Sequence, residues 1–296
     1  MGFGTFAVDA CGHVAAINEA SALQWMAGRR SRCINDECGR DFDLRRELAV
    51  ALTGAWRTFA SLTPFGGQFR VFETTIPVGE MWTLRLRDHG VPESAEVRDV
   101  HVTPQATEDD HSPAVVPMVQ LLNSAQLRPL AHELPLFLAP GGEESASEAV
   151  CGVLVQFFTR TDSVAEQLLL DAAIAHTMGD FRKAAIDAHT ATDTALSRAL
   201  SGRHPRSFGA DSRMSFLDRV AVVSALREEK GVGSLPGELV GDLRELNKAR
   251  NNVAHPEKQS SVFDEARSAQ RLVCALLVVA AASAGFGMPR LPPTRS

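Results

Sequence analysis

The apolar positions of this chain change their period along its length, and each period names a kind of element. Over residues 41–60, Leu44, Leu48, Leu52, Ala55, Trp56 and Phe59 recur at helical spacing, which predicts one amphipathic helix. After Pro64-Phe65-Gly66-Gly67 the pattern alternates. Residues 68–76 and 80–88 set apolar against polar side chains in turn, clearest as Trp82, Leu84 and Leu86 against Thr83, Arg85 and Arg87, the period of a half-buried strand. Pro77-Val78-Gly79 between them predicts a hairpin. Residues 96–103 and 150–159 read as further strands, as do 115–122 and 133–139, where prolines interrupt the run. Residues 107–113 and 140–147 are polar and turn-rich, and read as loops.

Beyond residue 160 the spacing is helical throughout. Residues 164–178 form one run, stopped by Gly179, and Asp180 can cap a second over 181–200. That second run has a face of Ala184, Ala185, Ala188, Ala191, Ala195, Leu196 and Ala199, small enough for close approach of a partner helix, and ends at Gly202-Arg203-His204-Pro205. A third helix is expected over about 215–230, before Gly231, and a fourth from after Pro236 to about 254. Ser261-Val262-Phe263-Asp264 has the capping-box pattern and would open a fifth through 282. The longest apolar stretch, 272–282, falls short of the ~20 residues that span a bilayer and reads as a buried helix. The fold class expected is α+β: a mixed α/β or mainly β domain over 1–160, then an all-α bundle over 161–296.

Charge follows the same division. Residues 1–160 carry 13 basic and 20 acidic side chains, and 161–296 carry 17 and 16. The 296-residue chain has a formal net charge of −6, so no global field recruits nucleic acid or anionic membrane, and a nucleic-acid site has to be a local patch. Five scattered cysteines fit a reducing compartment, and the first residues show neither a basic-then-apolar export signal nor the Ser or Thr at position 6 of a myristoylation signal. The expected location is the cytoplasm, with no membrane partner.

The segment richest in chemistry is Leu246-Asn247-Lys248-Ala249-Arg250-Asn251-Asn252-Val253-Ala254-His255-Pro256. Pro256 drives His255 out of the α region, so the helix should end there with the imidazole at its last turn and Arg250 one turn earlier. Such a grouping suits a phosphodiester, because Arg supplies a permanently charged fork and His exchanges a proton near neutral pH. Here the chain resembles the HEPN family of helical bundles, marked by an Arg, an adjacent polar residue, and a His separated from the Arg by four to six residues. Arg250-Asn251-(x3)-His255 matches its commonest form, and residues 181–200 resemble the family's alanine-rich early helix, with Asp193 at the acidic place. The resemblance spans roughly 164–285. It implies a HEPN-like fold and a metal-independent endoribonuclease with no cofactor. It further implies a homodimer with a composite site and products ending in a 2′,3′-cyclic phosphate. On that resemblance His255 moves protons, Arg250 stabilises transition-state charge and Asn251 orients the phosphate or the imidazole. The competing expectation is that the motif serves a non-catalytic dimerisation, RNA-binding or protein-binding module, with Arg250 complementing the end of its helix.

Residues 198–219 add a basic stretch in which Arg203, Arg206 and Arg213 are candidates for an RNA backbone, and Phe208 offers a stacking surface; a solvated connection is the alternative. Cys11, His13, Cys33 and Cys38 are candidate zinc ligands, although their spacing departs from paired Cys-x-x-Cys, and unligated thiols are the alternative. Cys151 and Cys274 lie in apolar runs and read as core. His89, His101, His111, His132, His176 and His189 show no metal-binding or catalytic spacing and read as surface or helix-face residues. No phosphate-binding Gly-rich loop and no G-x-S-x-G element occurs. The resulting expectation is a bacterial ribonuclease of defence or stress response, acting on RNA, whose first domain senses a protein or small-molecule trigger.

Overall fold

The computed structural model describes residues 5–8, 13–16, 19–33, 37–53, 67–104, 132–139, 147–159, 163–203, 214–254 and 262–288. It is an α+β protein whose contacts cluster into two compact units: Met1–Gly66 with Thr161–Ser296, and Gly67–Arg160. The expected division into 1–160 and 161–296 therefore holds near residue 160 but not at the start of the chain. The first sixty-six residues pack with the helices, and the β-rich unit is inserted between two parts of the helical one.

In the helical unit two short hairpins, β1 (Thr5–Val8) with β2 (His13–Ala16) and β3 (Ser31–Arg32) with β4 (Asp41–Phe42), flank helix α1 (Glu19–Met26). Helix α2 (Leu44–Ala51) follows, capped by Asp43, whose carboxylate accepts from the Arg45 N–H. The long helix expected over 41–60 thus ends at Ala51; residues 54–60 lie outside those described. Leu44, Leu48 and Leu52 are each 1% exposed.

The expected helices of the second half are present as α3 (Val164–Thr177), α4 (Phe181–Arg203), α5 (Phe216–Glu229), α6 (Gly237–Ala254) and α7 (Glu265–Ser283). Gly179 adopts φ 80, and the Asp180 N–H reaches back to the Ala175 carbonyl, closing α3 in the left-handed turn that glycine permits. Asp180 then caps α4 through the Lys183 N–H. Helix α5 opens with a reciprocal capping box between Ser215 and Asp218. Helix α7 starts on Asp264, which accepts from the Arg267 N–H, so the expected opening at Ser261 is set aside.

Helix α7 is the centre of this unit. Residues 271–281 are all buried, and α1, α2, α3, α4 and α6 pack around it. Among the described residues it is the one helix long and apolar enough to cross a membrane, and 72% of that stretch is buried inside the protein. Two polar ties bind the surrounding helices. Arg45 on α2 reaches Asp242 at 2.6 Å and Glu238 at 3.2 Å on α6; burial raises the Asp242 pKa, and the Arg45 charge and hydrogen bond oppose that rise. His176 on α3 is fully buried and lies 2.6 Å from the Leu52 carbonyl and 2.8 Å from the Ser268 hydroxyl. A carbonyl only accepts, so Nε2 carries the proton and satisfies the end of α2.

The inserted unit has a three-stranded sheet, in the order β5 (Gly67–Pro77), β9 (Glu148–Thr159), β7 (Ala95–Pro104), and a two-stranded sheet of β6 (Met81–Arg85) with β8 (Glu133–Phe137), all antiparallel. The expected hairpin of 68–76 with 80–88 is not formed. Pro77 has no N–H to continue a ladder, and the next two N–H groups donate to Ser147 and Leu138, so the chain leaves one sheet for the other. Both sheets line one core, with Ile76, Leu84, Leu86, Val97, Val155 and Leu136 at or near zero exposure. The strands expected at 96–103, 133–139 and 150–159 are present, whereas 115–122 and the loop at 107–113 lie outside the described residues.

Replacing His176 by Ala removes two hydrogen bonds and opens a cavity where three helices meet. We expect a loss of about 3 kcal/mol of stability, read as a lower urea midpoint by circular dichroism; an unchanged midpoint would refute the tie.

Candidate functional site

Helix α6 presents the candidate chemistry. Pro236 precedes it, and the Pro236 carbonyl accepts the Val240 N–H, a position where proline's fixed φ favours helix entry. Leu239, Leu243, Leu246 and Ala249 are fully buried, so one stripe anchors the helix. Arg250, just before its last turn, and Asn251, in it, stand exposed, and Arg250 Nη1 donates to Asn251 Oδ1 at 3.2 Å. The helix ends at Ala254, one residue before His255, which lies outside the described residues. Arg203 is the last residue of α4, and Arg206 and Arg213 are also outside.

Around this end the structure assembles groups that sequence reasoning left as a helix face. His189 on α4 is 8% exposed. Its Nε2 lies 3.2 Å from Asn247 Oδ1, one turn before Arg250 and Asn251, and its ring packs at 4.4 Å on Phe216 of α5. Asp193, one turn along α4, forms a 2.7 Å ion pair with Arg219 of α5. Three helices therefore meet in one polar cluster. Burial pushes the His189 pKa down, and the Arg250 charge pushes the same way; the Asn247 hydrogen bond and the Asp193 charge resist. The available sequence signal was a His and a Thr, 189 and 192, set in an otherwise alanine-rich buried face.

Of the four candidate zinc ligands, the described residues include the side chains of Cys33 and Cys38. Cys33 is buried and Cys38 half-exposed near β3 and β4, Cys11 is outside the described residues, and His13 is placed by its backbone in β2. Among the described residues no group of three or more His, Cys, Asp or Glu side chains could hold a metal ion. Cys151 and Cys274 are core thiols, and burial raises the pKa of each.

A histidine whose pKa is lowered on folding binds its proton less tightly in the folded chain than in the unfolded one. Stability is therefore lost as pH falls through the unfolded value. Between about pH 7.5 and 5.5 the wild type should lose more stability than His189→Gln, which lacks the titrating ring. Urea midpoints for both proteins at both pH values check this, and equal acid losses would count against it.

Comparison with protein-family models, with curated proteins and with solved structures gives no match to this chain.

Proposed function

We propose that the helical unit is a metal-independent endoribonuclease of the HEPN type, with a HEPN-like bundle built from α3 to α7. It acts in the bacterial cytoplasm as a homodimer with a composite site, in defence or stress response. The observation that carries this reading is the joint exposure of Arg250 and Asn251 at the C-terminal end of α6, shortly before His255-Pro256 in the sequence. The partner of Arg250 among the described residues is an amide, not a carboxylate, so its charge is available to an anion.

In the reaction His255 takes the proton of a ribose 2′-hydroxyl, or in the other protonation state gives one to the departing 5′-oxygen. The 2′-oxygen attacks phosphorus, the bond to the 5′-oxygen breaks, and a 2′,3′-cyclic phosphate and a 5′-hydroxyl result. Arg250 stabilises the negative charge that grows on the non-bridging oxygens, and Asn251 orients phosphate or imidazole. Arg203, Arg206 and Arg213 would follow the RNA backbone beyond the scissile bond. The β-rich unit is the sensor that takes a protein or small-molecule trigger.

Cleavage of RNA in the presence of EDTA tests the reading with wild type, Arg250→Ala and His255→Ala, all checked for equal helical content and size. We expect cyclic-phosphate ends from the wild type and a loss of about a hundredfold or more in each variant. No cleavage by the wild type, or equal cleavage by all three, would replace the nuclease with a non-catalytic dimerisation or binding module.

A further inference from the structure

The last two turns of α6 place Asn247, Arg250 and Asn251 at i, i+3 and i+4, the spacing that makes helix side chains neighbours. Each Asn brings one accepting oxygen and one donating NH2 group. The Asn247 oxygen faces His189 Nε2 at 3.2 Å, and because that oxygen only accepts, the ring nitrogen donates. The Asn251 oxygen accepts from Arg250 at 3.2 Å, and turning this amide over would set NH2 against a guanidinium N–H. Both amide oxygens are therefore engaged, and both NH2 groups remain beside a guanidinium that has donors alone.

What is left on this side-chain face is mainly donating, two NH2 groups and a guanidinium against one remaining lone pair on each amide oxygen, around one fixed positive charge. The carboxylate in this cluster, Asp193, is engaged by Arg219 at 2.7 Å. The backbone carbonyls of a helix point along its axis rather than off the side-chain face. A donor-rich face around a fixed positive charge suits a ligand whose exposed atoms are charged acceptors, which describes the non-bridging oxygens of a phosphodiester and not a metal cation.

We infer that Asn247 is a phosphodiester-binding residue, set by His189 so that its NH2 group stands with Arg250 and Asn251 against an RNA backbone. The inference rests on the ribonuclease reading for the identity of the ligand. It adds a residue outside the Arg-Asn-His motif, and it makes His189 a positioning residue that acts through Asn247.

The test is fluorescence anisotropy of the full chain with a short fluorescein-labelled RNA carrying 2′-O-methyl groups, which binds but cannot form a cyclic phosphate. Asn247→Asp keeps the acceptor for His189 and replaces the donor by a negative charge; it should weaken binding about tenfold or more, and Asn247→Ala by a few-fold. His189→Ala should weaken binding as Asn247→Ala does, while His189→Gln, which keeps a donor, should restore most of the loss. A merely structural contact would not show that rescue at unchanged helical content.

Wild type that fails to bind, or Asn247→Asp that binds as wild type does, overturns the inference. The two readings fail separately. Binding that depends on Asn247 in a protein that cuts no RNA removes the nuclease and leaves the phosphodiester face. Cleavage that depends on Arg250 and His255 with binding indifferent to Asn247 does the reverse.

Discussion

The helical unit is organised by one constraint: over residues 271–281, α7 has no exposed face. Eleven successive residues, 271–281, are buried, so neighbours must cover every side of the helix. The helices that follow the inserted unit supply part of that cover, through the small-residue faces of α3 and α4 and the leucine stripe of α6. The rest comes from α1 and α2, near the start of the chain. This is the physical reason that the first sixty-six residues belong to the helical unit across an insertion of more than ninety. Burying α7 also obliges its polar positions to find partners. Ser268 bonds His176, and the Arg271 guanidinium bonds the Val262 carbonyl and lies 5.3 Å from the Phe263 ring centre. A similar solution holds the last described turn, where the buried Arg227 donates to the carbonyls of Gly233, Val232 and Phe286.

Much of the helical unit was legible because its signals are local. Gly179 and Gly231 stop helices by their own backbone conformation, and Asp180 and Ser215 start them with a side chain a few residues away. The described strands of the inserted unit were legible in existence, since alternation marks them, but not in pairing, and the two- to four-residue strands β1 to β4, too short to show a period, were not expected at all. The register of β5 with β9 joins Gly67 to Phe158, and nothing at Pro77-Val78-Gly79 announces that the turn passes between sheets instead of folding a hairpin. Domain membership failed for a related reason. The Leu44, Leu48 and Leu52 stripe states that a helix has a core to face, and not which core.

The candidate site divides along the same line. Arg250, Asn251 and the end of α6 at Ala254 follow from spacing and from Pro256. His189 and Asn247 are 58 residues apart, and their contact exists only once α4 and α6 lie side by side. Phe216 and the Asp193–Arg219 pair bring α5 into the same cluster, so the geometry at the end of α6 is a property of three helices and not of a motif.

Electrostatics explains how an exposed guanidinium is held there without a carboxylate partner among the described residues. Arg250 lies just before the last turn of α6, near the negative end of the helix dipole, which favours a cation. The neighbouring imidazole is kept from adding a second positive charge, because burial lowers the His189 pKa. Asp193 spends its charge on Arg219, and Arg45 takes Asp242 and Glu238 elsewhere on the same helix. An anion arriving at Arg250 therefore has no ion pair to break among the described residues; it replaces water and an amide contact. In a chain of net charge −6 that distinction matters, because no global attraction compensates for a local one that is already satisfied.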